Sequence, residues 1–169
     1  MTELDVRRSP WNSGLDVSSE YLNHQLYLLG CIVHASPAID GLGPHGLAGL
    51  REQFQETEVG RILLTVAVAV RNAMDQNPGR AEYWLKGVDD NVGILQVLNR
   101  DKQPGVLQFR EACNKLIHCV SINFDYADET PRRGAALKPV VHIYGSLGKD
   151  EWKATIDLNK FVDVAFQLT

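Results

Sequence analysis

From Ser19 to about His34 the apolar side chains Tyr21, Leu22, Leu26, Tyr27, Leu28, Leu29, Ile32 and Val33 form a broad helical stripe, and Ser18 or Ser19 stands at the N-cap position. The pattern predicts a first helix there, preceded by an irregular polar arm over residues 1–18. The run SPAIDGLGPHGLAGL, rich in Gly and Pro, predicts a loop that ends this helix and closes into a short helix after Pro44. A long central helix is expected from about Glu58 to Gln76, where RILLTVAVAVRNAMDQ leaves only a thin polar strip and Asn77-Pro78-Gly79 stops it.

Ile94, Leu95, Val97 and Leu98 predict a further short helix over Val92 to Arg100. Leu107, Phe109, Ala112, Cys113, Leu116, Ile117 and Val120 predict another from about Val106 to Cys119. A polar loop is expected from Asp125 to Lys138. The period then changes. Trp152, Ala154, Ile156 and Leu158 alternate with Lys153, Thr155 and Asp157, which predicts a β-hairpin at about 139–158 turning through Gly145 to Gly148. A closing helix, KFVDVAFQL, follows, with Asp157 or Asn159 as its cap. The expected fold class is mainly α: a helical bundle with a C-terminal antiparallel β-hairpin and closing helix, one domain over 19–169.

The chain of 169 residues is 44% hydrophobic and 22% charged, which suits one compact domain and excludes fibrous and disordered classes. Seventeen Lys and Arg against 21 Asp and Glu leave a net charge of -4, so any nucleic-acid contact has to be local. The most apolar stretch, Ile62 to Val70, is too short for a membrane span of ~20 residues. The N-terminus MTELDVRRSPWNSG lacks a signal-peptide core. Cys31, Cys113 and Cys119 form neither a disulfide framework nor a zinc or redox motif. A cytoplasmic location with no membrane contact is the expectation.

The most specific chemistry lies in REACNKLIHC, where Arg110, Asn114 and His118 succeed one another at intervals of four. Four residues advance a helix by about 400°, so the three share one face. A cation, an amide and an imidazole supply what phosphodiester cleavage without a metal needs: a fixed charge, an orienting group and a proton shuttle near neutral pH. Arg110 and His118 are separated by about 12 Å of helix rise, so a second copy of the motif facing the first would help them converge. Arg71 and Asp75, at i and i+4, most simply pair, although Arg71 is a second arginine available to line a shared groove.

The NKLIH segment on a late helix resembles the motif of the HEPN superfamily, helical domains that include metal-independent ribonucleases of toxin, CRISPR and phage-defence systems. That motif is an Arg, commonly a polar residue such as Asn, then four to six residues and a His. Asn114 and His118 match it; Cys113 stands where the Arg belongs, and Arg110 is the nearest arginine. The resemblance implies a homodimer with two motif helices across a cleft, His118 as acid or base, Asn114 orienting the phosphate or the His, and Arg110 as the cation. It implies either an endoribonuclease of a bacterial defence or stress system, or a non-catalytic interaction domain binding a protein or RNA. Neither metal nor cofactor is expected.

Arg132, Arg133 and Lys138 form the one local basic cluster, in the loop expected over 125–138, and are the candidates for RNA contact. GLGPHG has the GxGxxG spacing at Gly41, Gly43 and Gly46, but a helix rather than a strand precedes it and Pro44 removes an amide. His24, His34 and His45 lack an acid or Cys at metal-ligand spacing. Cys119 and His118 are adjacent and point about 100° apart on a helix, which prevents a nucleophile pair.

Overall fold

The computed structural model describes residues 18–42, 46–76, 78–101, 103–127 and 135–168. The arm expected over 1–18, all but Ser18, and the basic pair Arg132 and Arg133 lie outside the described residues. The elements run α1 (Ser19–Asp40), α2 (Gly46–Gln76), α3 (Pro78–Leu85), β1 (Asn91–Val97), β2 (Gly105–Gln108), α4 (Phe109–Ile117), β3 (Ser121–Tyr126), β4 (Leu137–Leu147), β5 (Asp150–Asp157) and α5 (Leu158–Gln167).

Ser18 opens α1, its Oγ accepting from the Tyr21 amide at 3.2 Å. The helix does not stop near His34 but continues through Pro37 to Asp40. Its last turn is held from α2. Arg51 donates to the Ser36 carbonyl and to Asp40 Oδ1, each at 2.6 Å, and Ser36 Oγ donates to Gln55 Oε1 at 3.0 Å. These bonds anchor the turn that the proline weakens. Farther back, Arg61 reaches Gln25 Oε1 at 3.1 Å, so α1 and α2 run antiparallel. Leu29, Val59, Ile62, Leu63 and Val66 fill the space between these helices and the sheet with no solvent exposure.

The expectation of a mainly helical bundle is overturned. The chain forms a five-stranded antiparallel sheet, in the order β2-β1-β5-β4-β3, with helices on one face: an α+β fold. The segment expected as a helix over 92–100 is β1, the strand between β2 and β5. Ile94, Leu95, Val97 and Leu98 suit either period, and two long-range strand partners decide the outcome. Gly93 carries the signal: a Cβ there would collide with the Thr155 carbonyl of β5, the close backbone approach that interior strand glycines mark. A bulge between Asn91 and Gly93 turns Val92 into the core.

The helix expected from Val106 begins instead at Phe109, because residues 105–108 pair with β1 as β2. Ser121–Tyr126, given no element from sequence, is edge strand β3, with Ile122 and Phe124 opposite Ile143 and Val141 of β4. The polar loop expected at 125–138 accordingly shrinks, since Asp125 and Tyr126 belong to β3 and Leu137 and Lys138 to β4.

The C-terminal hairpin is present, longer than expected, and turns at Gly148-Lys149 rather than through Gly145. Gly148 takes φ +63°, which a residue lacking Cβ adopts at no steric cost. Gly145 lies within β4 opposite Trp152, whose ring occupies the space a Cβ would need. Asp157 caps α5, accepting from the Asn159 amide at 2.9 Å and the Lys160 amide at 3.2 Å. Phe161 of α5 then meets Phe109 of α4 with ring centroids 5.0 Å apart, tying both short helices to the sheet.

Candidate functional site

Helix α4 lies against α2, with Phe109, Ala112, Cys113 and Leu116 in the core and Arg110, Asn114 and His118 on the outer side. The helix carries Arg110 and Asn114 one turn apart, His118 follows it as the C-cap, and the three side chains do not converge. Arg110 is exposed and turns to Asp75 of α2, its Nη2 2.8 Å from Oδ1. Asp75 also accepts from Arg71. Arg71 Nε donates to Asn114 Oδ1 at 2.6 Å, linking the middle of the motif to α2. The arginine beside Asn114 is thus Arg71, 43 residues upstream, and not Arg110.

His118 is exposed and is the C-cap of α4, its backbone amide donating to the Asn114 carbonyl at 3.1 Å. It lines a groove of about 660 Å³ together with Arg71, Glu111, Asn114, Lys115, Ser146, Leu147 and Trp152. Arg110 is not among the lining residues. Sequence spacing misses Lys115 and Trp152, because nothing along the chain joins them. In the fold Lys115 Nζ lies 4.5 Å from the Trp152 ring centre, with Glu111 3.9 Å away one turn back. The ring fixes the ammonium at the groove wall, and Gly145 makes room for the ring.

The electrostatics follow from these neighbours. Burial, then the nearby charge of Arg110, pulls the Arg71 guanidinium below its usual range. Burial pushes the Cys113 thiol up to about 12, so this residue, in the position of the motif arginine, is a neutral packing group. Cys119, with its Sγ on the Leu116 carbonyl at 3.2 Å, is also raised by burial. Neither thiol has the electropositive, open setting of a nucleophile.

Lys138, the described member of the predicted basic cluster, lies on the opposite sheet face with Nζ 4.0 Å from Asp125 Oδ2. His34 bonds Asn159 Oδ1 at 2.9 Å. Among the described residues there is no group of three or more His, Cys, Asp or Glu able to hold a metal ion, and no helix long and apolar enough to cross a membrane. The class of molecule defined so far is a two-layer α+β protein with a small cationic groove where α2, α4 and the hairpin meet. No protein-family profile, curated protein or solved structure matches the chain.

Proposed function

We propose that this groove binds an RNA phosphodiester and that the protein is a metal-independent endoribonuclease of a bacterial defence or stress system, acting as a homodimer, its likeness to the HEPN superfamily confined to the Asn114–His118 motif and not extending to the fold. The observation carrying this reading is the Arg71–Asn114 bond, which sets a guanidinium beside the motif amide and at the same groove as Lys115 and His118. Arg71 takes the cationic role that Cys113 cannot fill and for which Arg110 lies too far out. Arg71 and Lys115 offset the charge that builds on the phosphorane oxygens. His118 accepts the proton of the ribose 2′-hydroxyl as O2′ attacks phosphorus. The P–O5′ bond breaks, leaving a 2′,3′-cyclic phosphate and a 5′-oxygen that needs a proton. Among the described residues His118 is the one imidazole lining this groove, and in this reading the leaving group's proton comes from His118 of a second copy.

The test is cleavage of mixed total RNA with EDTA present, comparing wild type with His118→Ala at matched folding. Wild-type cleavage that disappears in the variant is the expected result. A second reading, a non-catalytic interaction domain, draws on Asp75 holding both Arg71 and Arg110, a network that also serves to dock α4 on α2. A wild type that cleaves nothing at concentrations where it is dimeric selects that reading.

A further inference from the structure

On the helix side β4 and β5 bury Val141, Ile143, Trp152, Ala154 and Ile156, while on the other face Ile94, Gln96, Ser121 and Asn123 are exposed and His142, Tyr144, Lys153 and Thr155 half-buried. Across the middle of that face run Ile94, Thr155, His142 and Asn123, each opposite the next in register. One step toward the hairpin tip lies the row Gln96, Lys153, Tyr144 and Ser121. Tyr144 and His142 are half-buried ring systems on neighbouring rungs of one strand face. Lys153 Nζ stands 5.8 Å from the Tyr144 ring centre, and His142 Nδ1 is 3.0 Å from Thr155 Oγ1.

The groove lies on the helix side of the sheet and meets the edge of this face at Ser146, which falls on the Tyr144 side of β4. Two residues after His118, the Val120 amide donates to the Tyr144 carbonyl at 2.8 Å, and Ser146, two residues beyond Tyr144, lines the groove itself. A chain leaving the groove past Ser146 meets Tyr144 and Lys153 next. Flat rings beside an ammonium, at the exit of a cationic groove, complement an unpaired strand, whose bases stack on rings and whose phosphates seek cations. A duplex keeps its bases stacked inside and has no use for them.

We infer that the open sheet face is a platform for single-stranded RNA, with Tyr144 stacking a base and Lys153 holding an adjacent phosphate. The inference rests on the phosphodiester reading of the groove for the strand's path and deepens it to a substrate class: single-stranded RNA. His142 sits on the same platform, where burial and then the charge of Lys153 draw its pKa down, partly offset by Asp125.

The probe is a short fluorescent 2′-O-methyl RNA, which lacks the attacking hydroxyl and stays intact on the full chain. Wild type binds the single strand more tightly than the duplex of the same sequence. Tyr144→Ala weakens single-strand binding about tenfold, the order of one lost stacked base, and Tyr144→Phe binds as wild type. Lys153→Gln also weakens binding and flattens its salt dependence, providing a second variant should Tyr144→Ala fold poorly. Binding unchanged in both Tyr144→Ala and Lys153→Gln, equal affinity for duplex, or no binding by wild type overturns the platform. A protein partner lost from Tyr144→Ala, with no RNA bound, overturns it as well. RNA cleavage that needs His118 but ignores both platform variants leaves the nuclease reading standing without the platform. Probe binding that needs Tyr144, in a wild type that cleaves nothing, does the reverse.

Discussion

Arg71 and Asn114, 43 residues apart, meet through a 2.6 Å hydrogen bond from the guanidinium Nε to the side-chain carbonyl oxygen. The bond joins α2 to the motif helix and brings an arginine to the groove at the level where the motif itself carries Cys113. Asp75 completes the arrangement by accepting from Arg71 and Arg110 together.

Removing this arginine therefore separates structure from chemistry. Arg71→Ala is expected to lower stability by about 1 kcal/mol, read as a shift in Tm, because one charged hydrogen-bond set is lost at a partly exposed site. RNA cleavage falls much further, by about 10²–10³, the scale of losing one preorganised charge-stabilising donor. Arg71→Lys keeps the charge but cannot span Asn114 and Asp75 at once, so its activity lies between the two. A variant whose Tm shifts while cleavage holds removes Arg71 from the reaction.

Gly145 is expected to tolerate no side chain. A Cβ there overlaps the ring of Trp152, which is nearly fully buried. Gly145→Ala should cost about 1–3 kcal/mol as an overpacked core site and should change the tryptophan fluorescence. Because Trp152 also seats Lys115, binding at the groove weakens in the same variant.

Alkaline pH should destabilise the protein through two weak acids, the buried Cys113 thiol and the partly buried Tyr126 phenol. Burial raises the Cys113 thiol from 9.0 to about 12. Burial and the bond to Glu56 raise the Tyr126 phenol from 10.0 to about 12. Between each pair of values the unfolded chain has released a proton that the folded chain keeps, so unfolding free energy falls as pH rises. The contribution is intact below pH 9 and declines toward pH 12. Urea titrations across this range check it. Cys113→Ala should flatten the decline from its lower end and Tyr126→Phe from its upper end.

The start of α5 offers a cleaner stability test. Asp157→Ala removes the acceptor for two amides and is expected to cost about 1 kcal/mol, with Asp157→Asn retaining most of the cap. Chemical denaturation of the three proteins measures the difference.

Periodicity over a long stretch is legible in the chain of residues alone. The stripe starting at Ser19, the apolar run of α2 and the alternation of β5 each repeat often enough to be read locally, although α1 runs past His34 to Asp40 and α2 starts at Gly46 rather than near Glu58, and Asp157 marks the start of α5. Shorter runs are not decided locally. Ile94 to Leu98 fits a helix as well as a strand, and β2 is four residues long. Ser121–Tyr126 does alternate, with Ile122, Phe124 and Tyr126 on the core side, a signal masked by the helical period of the residues that precede it.

At the site, the shared face of Arg110 and Asn114 follows from helical geometry alone, as does the Arg71–Asp75 pair at i and i+4. The groove does not. Which arginine reaches Asn114, which aromatic ring carries Lys115, and which sheet face stays open depend on contacts between residues tens of positions apart. The order of residues sets the local periods, the caps and the groups available for chemistry, since these are properties of near neighbours on one turn or one strand. Long-range packing settles the sheet and sets Arg71 rather than Arg110 beside Asn114, because strand pairing and side-chain convergence are satisfied only when distant segments share one core.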